Sequence, residues 1–379
     1  MSNDNTTGGG GLARRLNPLR LPLRHRLGLL GLAGMAVLPR LVSTSFVVTL
    51  SLAYFWGVYA MSWDVVSGYT GQISFGHGVF FAVGGYTSAL LNLGYGIDPV
   101  LSIPVGVVLA AAAGLIIGVP ALRLRGPYLS LVTLVAPLIL TQVFIFRSDV
   151  FNGEQGLSGV SPLFGLRTFG GEVAFYYVAF GLFVFVLAVL LLVTRTDAGA
   201  VLTAIREDPD TVAASGLNPS KFKIMAFVLS AAIGGLAGAV IVHTPSGNAS
   251  PTTLMTITVN VEVIIAAILG GMGTIVGAGV GGILLILLRE QLAGIAWTVP
   301  VIGQPVSDIN FLVFALITLV LLFVMPGGIV RTAIVAGRRV LDRGSDEDTV
   351  ATDGGTAPAR RVYERYTDRL RAAFGGDDR

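Results

Sequence analysis

A polar stretch, TDAGAVLTAIREDPDTVAASGLNPSKFKIMAF (Thr196–Phe227), separates two strongly apolar runs of this sequence. The run before it is VAFGLFVFVLAVLLLV (Val178–Val193), and the run after it is FVLSAAIGGLAGAVIV (Phe227–Val242). Each run has nearly the length with which a helix crosses the hydrocarbon core of a bilayer. A connection between neighbouring helices needs only a few residues. The pattern therefore predicts a membrane protein that carries an oversized polar segment between two spans.

Apolar residues recur at helical spacing inside this polar stretch, which predicts one or two short helices on the membrane surface. These residues are Val201, Ala204, Ile205, Val212, Ala213 and Ala214. Gly216 and Pro219 follow as signals that end a helix. The alternative is a solvated loop whose helix has no role.

The composition places the chain among membrane proteins. Of its 379 residues, 53% are hydrophobic and 12% are charged, whereas soluble domains carry about 25% charged residues. The 50 glycines suit close helix packing in lipid. The chain has no cysteine, so disulfides, thiolate nucleophiles and cysteine metal sites are excluded. The net charge of +3 comes from basic residues at the ends of apolar runs, which argues against nucleic acid as a partner.

We predict an all-α, polytopic integral membrane protein with nine clear membrane segments, or ten if Leu27–Leu38 also crosses. The apolar block Thr258–Leu288 is too long for one helix, and the glycine array Gly270–Gly282 is expected to divide it in two. The other predicted segments are Val42–Trp63, His77–Leu93, Pro99–Val119, Pro127–Phe146, Phe175–Val193, Phe227–Val242 and Phe311–Met325.

The arginines favour ten segments with both termini in the cytoplasm, because cytoplasmic connections of membrane proteins are rich in Arg and Lys. On this topology Arg40, Arg147 and Arg167 lie in the outside connections. The polar stretch then lies in the cytoplasm. The predicted parts are a polar N-terminus (1–26), a membrane domain (27–330) and a cytoplasmic tail (331–379) that is expected to be disordered. Within the tail, Arg360–Phe374 is either an amphipathic helix or a solvated coil.

Three glycines at GxxxGxxxG spacing, Gly273, Gly277 and Gly281, predict one helix face without side chains. The simplest interpretation of this spacing is close packing between helices of the same chain. Helices that interlock lightly can also slide or rock against each other.

The segment GYTGQISFGHGVFFAVGGY (Gly68–Tyr86) has the composition of a broken helix at the mouth of a span. Irregular backbone is tolerated in a membrane only where protein or a watery cavity covers it, and transporters use such breaks to bind substrate. Candidate residues of the substrate path are therefore Gly71, Gln72, Ser74 and His77. For His77 the plainer alternative is a packing residue with satisfied hydrogen bonds.

Glu262 lies within the apolar sequence TVNVEVIIAAILGG. An ionisable residue inside a span is costly, so it is a candidate for the substrate path. At the outer interface the cost would be small, and Glu262 would then have no special role. Asp64 invites the same question with less weight.

The sequence lacks the motifs of enzymes and metal sites. It contains no G-x-x-x-x-G-K-[ST] loop for phosphates, no HExxH, no CxxC and no G-x-S-x-G nucleophile turn. We therefore expect no enzymatic activity, no nucleotide site, no metal and no cofactor in this chain.

Several segments together resemble the permease subunits of ATP-binding-cassette importers for branched-chain amino acids, the LivM type. The resemblance runs from about Val42 to Ile329 and rests on the order of its motifs. These are GYTGQISFGHGVFFAVGGYTSALL (Gly68–Leu91), LRLRGPYLSLVTL (Leu122–Leu134), NGEQGLSGVSPL (Asn152–Leu163), AIREDPDTVAASGLNPSKFKIMAF (Ala204–Phe227), LGGMGTIVGAGVGG (Leu269–Gly282) and FVMPGGI (Phe323–Ile329).

The resemblance implies a multi-pass protein of the plasma membrane that imports leucine, isoleucine or valine by alternating access. The coupling segment, about residues 196–222, would dock against an ATPase. Its candidate contact residues are Ala204, Arg206, Glu207, Asp208, Ala213, Ala214 and Gly216. The implied partners are a second, LivH-type permease, two ATP-binding subunits, an external solute-binding protein and membrane lipid, with ATP bound only by the partner subunits.

Other functions stay open at this point. The same machinery could carry urea, short amides or another small solute. A secondary carrier or channel would need neither an ATPase nor a binding protein, and a structural membrane scaffold would transport nothing. The oversized polar stretch and the scarcity of ion ligands inside the spans argue against a carrier or channel.

Overall fold

The computed structural model describes most of the chain except its two ends and several short loops. The described residues are 23–122, 127–165, 171–244, 247–295, 297–298, 305, 307–325, 327–333 and 335–336. The chain divides into two units, Met1–Ala333 and Ile334–Arg379. Of the second unit only Val335 and Ala336 are described, so the predicted tail helix Arg360–Phe374 lies outside the described residues, as does most of the polar N-terminus.

Throughout the described ranges the regular structure is helical, and backbone pairing between extended segments is limited to two isolated bridges. The helices are α1 (Leu23–Val37), α2 (Thr44–Thr70), α3 (Gly78–Tyr95), α4 (Pro99–Ala121), α5 (Pro127–Phe146), α6 (Ser148–Phe151), α7 (Gly171–Thr194), α8 (Asp197–Glu207), α9 (Pro209–Ala214), α10 (Pro219–Ile241), α11 (Pro251–Leu254), α12 (Ile257–Gly270), α13 (Ile275–Ala293) and α14 (Asn310–Val324). The expectation of an all-α protein is confirmed.

Within the described part, seven helical stretches are long and apolar enough to cross a membrane. They are α2, α4, α5 from Tyr128, α7, α10, the stretch Pro251–Gly270 and α13. The remaining predicted segments also form helices: α1 and α14 contain shorter apolar helices, and α3 has 18 residues. The predicted division of Thr258–Leu288 is confirmed, because α12 ends at Gly270 and α13 begins at Ile275. Whether ten segments cross stays a prediction.

Helix α2 lies at the centre of the protein and packs against α7, α10, α12 and α13. Nearly every residue from Tyr54 to Gly68 is buried, including the large side chains of Trp63 and Tyr59. The prediction that this segment ends at Trp63 is wrong, since the helix continues to Thr70. The polar residues Asp64 and Ser67 interrupt the apolar pattern, but both are buried against protein, so the helix does not need to stop there.

Small residues bring α3, α4 and α10 close together. A Cβ atom added to Gly84 of α3 would lie 2.1 Å from the carbonyl oxygen of Gly235, and one added to Gly235 would lie 2.1 Å from Ala110 Cβ. No real side chain tolerates such distances. In lipid, where apolar burial does not drive helices together, this backbone proximity provides the packing that associates them.

Candidate functional site

The chain between α2 and α3 is a non-helical segment, Gly71–His77, that is exposed at Gly71 and Ile73 and enclosed by neighbouring helices from Ser74 to His77. Helix α2 ends where Gly71 adopts the left-handed conformation, with φ of +71°. N–H groups near this break that lack a helical backbone acceptor donate instead to side chains of three different helices. These bonds are Ser74 to Ser67 Oγ (3.2 Å), Phe75 to Thr133 Oγ1 (3.1 Å) and Gly78 to Asn260 Oδ1 (2.7 Å). The predicted broken helix is therefore present, with its backbone satisfied by protein.

Carbonyl groups of the same segment are also bonded by side chains. Trp63 Nε1 donates to the Ser74 carbonyl at 2.8 Å, and Ser130 Oγ donates to the Ile73 carbonyl at 2.8 Å. Of the predicted substrate-path residues here, Ser74 is buried, Gln72 is half-buried and Gly71 is exposed. The segment is thus accessible at its Gly71 end and closed at its Ser74 end.

His77 is buried at the end of this segment with 1% of its surface exposed. Its Nε2 lies 2.7 Å from Ser62 Oγ, and Ser230 Oγ donates to the Ser62 carbonyl at 2.6 Å. The imidazole also packs against the ring of Phe80 at 5.4 Å between centroids. These surroundings are those of a packing residue with a satisfied hydrogen bond, the plainer of the two interpretations of His77.

Glu262 lies in α12 with 2% exposure and forms an ion pair with Arg289 of α13. Nη1 of Arg289 is 3.2 Å from one carboxylate oxygen and 3.4 Å from the other, while the Arg289 side chain is 55% exposed. Sequence reasoning singled out Glu262 and missed its partner. The two residues are far apart in the sequence, so no local pattern pairs them. The one available signal is that Arg289 directly follows the apolar block that contains Glu262.

Asp64 is fully buried in α2, and its Oδ1 accepts a hydrogen bond from the Gly273 N–H at 2.7 Å. Its Oδ2 has no hydrogen-bond partner among the described residues. Gly273 lies between α12 and α13 and has a φ of +78°. Asp64 therefore holds the turn between α12 and α13 against the central helix.

Gly273 is consequently not on the predicted glycine face. Helix α13 begins at Ile275, so the spacing of Gly273, Gly277 and Gly281 reflects a turn followed by a helix. Gly277 and Gly281 do pack closely: a Cβ atom at Gly281 would lie 1.9 Å from the Ala266 carbonyl oxygen of α12. The prediction of a glycine face on one helix is correct for Gly277 and Gly281. It is wrong for Gly273, because a left-handed φ ends helical geometry there.

The polar stretch Thr196–Phe227 folds into two helices, α8 and α9, followed by the start of α10. The prediction of one or two short helices is confirmed. Helix α8 packs against α2, α7 and α10, and its Leu202, 1% exposed, belongs to the main hydrophobic core. It follows α7 closely, because a Cβ atom at Gly199 would lie 2.1 Å from the Thr194 carbonyl oxygen.

Asp208 divides the two helices. It is the N-cap of α9, and its carboxylate accepts hydrogen bonds from the Asp210 N–H at 2.9 Å and from Thr211 Oγ1 at 2.5 Å. The hydrogen bond from Thr211, followed by those from backbone N–H groups, lowers the pKa of Asp208. The carboxylate is therefore ionised at neutral pH, which suits a helix N-terminus. Gly216, with φ of +87°, and Asn218, the N-cap of α10, complete the connection.

The predicted coupling residues lie on the surface. All seven are exposed: Ala204, Arg206, Glu207, Asp208, Ala213, Ala214 and Gly216. In α9 only Val212 is buried, so the small residues Ala213 and Ala214 are open to a partner. Arg206 also contacts the membrane helices, since its Nη1 donates to the Gly68 carbonyl of α2 at 3.0 Å.

A second polar cluster surrounds His243, just beyond the other end of α10. His243 Nδ1 donates to the Ser161 carbonyl at 2.6 Å, and Nε2 accepts from Ser88 Oγ at 2.7 Å. Ser88 is in turn 2.7 Å from Ser102 Oγ of α4. Burial is the main cause that lowers the pKa of His243, so this ring is neutral at pH 7. Sequence reasoning did not single out His243, and its serine partners carry no sequence signal.

No group of three or more His, Cys, Asp or Glu side chains in the described ranges is arranged to hold a metal ion. The helices long enough to span a membrane, the partly enclosed break after α2 and the exposed helix pair α8–α9 define the class as a multi-pass transport permease. The chain belongs to the family described as branched-chain amino acid transport system, permease component, whose profile matches residues 45–325. It is accordingly an integral protein of the plasma membrane.

Characterised relatives support this assignment. The high-affinity branched-chain amino acid transport system permease protein LivM of Escherichia coli is 32% identical over 295 residues, which cover 71% of this chain and 69% of LivM. BraD of Pseudomonas aeruginosa, described in the same words, is 27% identical over 72% of this chain and 91% of its own. LivH of Salmonella typhimurium is 27% identical over 74% of this chain and 92% of its own. No solved structure matches the chain significantly.

Proposed function

We propose that this chain is one of two permease subunits of an ATP-binding-cassette importer that carries leucine, isoleucine and valine into the cell. The family assignment and the LivM and BraD relatives support the substrate class. Transport proceeds by alternating access, in which the helices around the substrate rock against one another. Membership in a multi-subunit importer follows from the likeness to both LivM and LivH.

The observation that carries the mechanism is the exposed helix pair α8–α9. Helix α8 is fixed to the membrane helices through contacts that include the core residue Leu202, whereas α9 buries only Val212. A stiff element that is anchored on one side and open on the other can transmit a force from a partner. Because the sequence contains no phosphate-binding loop, ATP is hydrolysed by separate subunits that grip α9.

The complete importer contains this chain, a LivH-type permease, two ATP-binding subunits and an external solute-binding protein, with lipid around the spans. This chain itself holds no nucleotide, cofactor or metal. Both termini and the α8–α9 pair lie in the cytoplasm, since the arginines and lysines concentrate in the connections on that side. The binding protein delivers substrate at the opposite face, which includes the His243 cluster.

The direct test is transport by the reconstituted complex. The chain is co-expressed with candidate partner subunits from neighbouring genes, and labelled leucine uptake and ATP hydrolysis are measured in proteoliposomes. We expect uptake that requires ATP, the ATPase subunits and the binding protein. Competition by urea or acetamide but not by valine would assign the other substrate class. Leucine uptake without any ATPase subunit would show a secondary carrier and contradict the proposal.

A substitution on α9 tests the docking surface. Ala214→Trp puts a large ring on the exposed face, so we expect at least a tenfold loss of ATPase subunit that co-purifies with the permease, as for a well-packed interface residue. Gln155→Trp is the matched control, because Gln155 is also exposed but lies in the connection between α6 and α7. Equal recovery of ATPase with both variants would remove α9 from the contact.

A further inference from the structure

Arg206 differs from its neighbours on α8. Its side chain is 35% exposed, against 72% for the side chain of Glu207, and it contacts α2. Its Nη1 donates to the Gly68 carbonyl at 3.0 Å, and its Nε and Nη2 lie 3.3 and 3.1 Å from Glu207 Oε1. Arg206 thus joins the exposed helix pair to the last turn of the central helix.

The arginine lies among glycines from two separate parts of the chain. A Cβ atom at Gly71 would lie 3.1 Å from Arg206 Cγ, and one at Gly273 would lie 2.6 Å from Arg206 Nη1. A Cβ atom at Gly68 would lie 2.0 Å from Asp64 Oδ1 and 2.6 Å from the Gly273 nitrogen. Gly68, Gly71, Gly273 and Asp64 are called the Arg206 cradle below. Any larger side chain at its glycines would displace the arginine or the turn.

Asp64 holds the turn of the cradle. It is completely buried, its Oδ1 holds the Gly273 N–H at 2.7 Å, and its Oδ2 lacks a hydrogen-bond partner among the described residues. Asp64 reaches the arginine through the turn, because its hydrogen bond goes to the Gly273 N–H and Arg206 Nη1 lies beside Gly273. Arg206 therefore binds the end of α2 and packs against the turn between α12 and α13.

We propose that Arg206 is a positioning residue that converts displacement of α8–α9 into movement of the α2 end and the α12–α13 turn. Movement of Gly71 then passes directly into the partly enclosed segment Gly71–His77. This proposal rests on the proposed function, because it assumes that an ATPase moves α9. It assigns Arg206 to the transmission of force within the permease, while the ATPase is gripped by the exposed residues of α9.

The experiment separates assembly, ATP hydrolysis and transport. Complexes reconstituted in proteoliposomes carry either the wild-type chain or Arg206→Ala, and ATPase recovery, ATP turnover and leucine uptake are measured for each. We expect normal recovery, ATP turnover within about twofold of wild type, and uptake roughly tenfold lower, which is the factor for one lost hydrogen bond to a charged group. The number of ATP molecules hydrolysed per leucine then rises about as much as uptake falls.

Matched variants distinguish transmission from simple structural support. Arg195→Ala removes an exposed arginine just before the coupling segment and is expected to leave uptake and ATP turnover unchanged. Arg206→Lys retains a donor for the Gly68 carbonyl and is expected to restore part of the coupling. Asp64→Ala removes the acceptor of the Gly273 N–H and releases the turn from α2, so its ratio of ATP to leucine should also rise.

A distance measurement tests the movement itself. The native chain has no cysteine, so Ala204→Cys and Ile73→Cys, both at exposed positions, give two unique sites for spin labels. In the otherwise unchanged chain we expect one narrow distance distribution with and without ATP, because the two elements move together. With Arg206→Ala added, the distribution should broaden or shift when ATP binds.

The outcomes are distinct for the two proposals. If the wild-type complex takes up no leucine, the proposed function fails whatever Arg206 does. If the wild-type complex transports and Arg206→Ala loses uptake and ATP turnover in equal proportion, or loses ATPase recovery, Arg206 is an ATPase contact and the transmission proposal is wrong. It is also wrong if Arg206→Ala transports with unchanged efficiency.

Discussion

The ion pair between Glu262 and Arg289 shows how single residues meet the cost of charge within this fold. Glu262 is 2% exposed, so its carboxylate depends on the guanidinium, whereas Arg289 is half in contact with solvent or lipid. Removing Arg289 leaves a buried charge without compensation, which is more damaging than removing both charges together.

We therefore expect Arg289→Ala to lower the free energy of unfolding by about 1–3 kcal/mol, the cost of leaving a buried polar group unpaired. Glu262→Gln combined with Arg289→Gln should recover most of that loss. Thermal unfolding of the purified protein in detergent measures both effects. Glu290→Ala serves as the control at the exposed neighbouring position, and equal destabilisation by Glu290→Ala and Arg289→Ala would contradict the role of the pair.

His243 makes stability depend on pH. Its pKa in the folded protein is lowered, chiefly by burial, so the unfolded chain binds this proton more readily than the folded protein does. Stability from this group is fully present above the unfolded pKa of about 6.5 and is lost as the pH falls below it. We expect the melting temperature to decrease between pH 7.5 and pH 5.

The control for His243 is His243→Gln, which retains a donor and an acceptor but does not titrate. Other acid-sensitive groups act equally on both proteins, so the difference between the two pH curves isolates His243. A decrease of the same size in wild type and in His243→Gln would assign the pH dependence to another group.

At the scale of elements, the distance between α12 and α13 is determined by direct contact between their backbones. A Cβ atom at Gly281 would lie 1.9 Å from the Ala266 carbonyl oxygen. Gly281→Ala should therefore force the two helices apart and cost about 1–3 kcal/mol, as overpacking of a core does.

Gly181→Ala in α7 is the matched control, because a Cβ atom there would meet nothing within 4 Å. Alanine favours the helical state over glycine, so this variant should be as stable as wild type or slightly more so. Unfolding midpoints in detergent, measured side by side, distinguish the two. Equal midpoints for both variants would mean that α12 and α13 adjust to the added methyl group without cost.

Sequence reasoning located some helices correctly and misjudged the ends of others. Apolar runs and stop signals located α7, α8, α9 and α10, because hydropathy and helix capping act over short distances along the chain. The end of α2 was misplaced, since only the surrounding protein makes Asp64 and Ser67 compatible with a buried helix. The GxxxGxxxG spacing was misassigned at Gly273, where a hydrogen bond from a distant helix defines a turn.

At the scale of the molecule, the class of protein could be predicted from composition alone, and the order of motifs identified the family. Only part of the candidate site could be predicted from the sequence. Sequence reasoning placed the coupling residues on one polar stretch, but it did not show that Arg206 contacts Gly68 and lies beside Gly273, which are far from it in the chain. Contacts of this kind arise from tertiary packing, which no local pattern encodes.

The partly enclosed segment Gly71–His77 offers a way to follow these helices separately. The amides of Ser74, Phe75 and Gly78 are bonded to side chains of α2, α5 and α12, respectively. Exchange of each amide hydrogen with deuterium therefore requires that one particular helix withdraw. The order in which these three amides begin to exchange during turnover is therefore the order in which the three helices move.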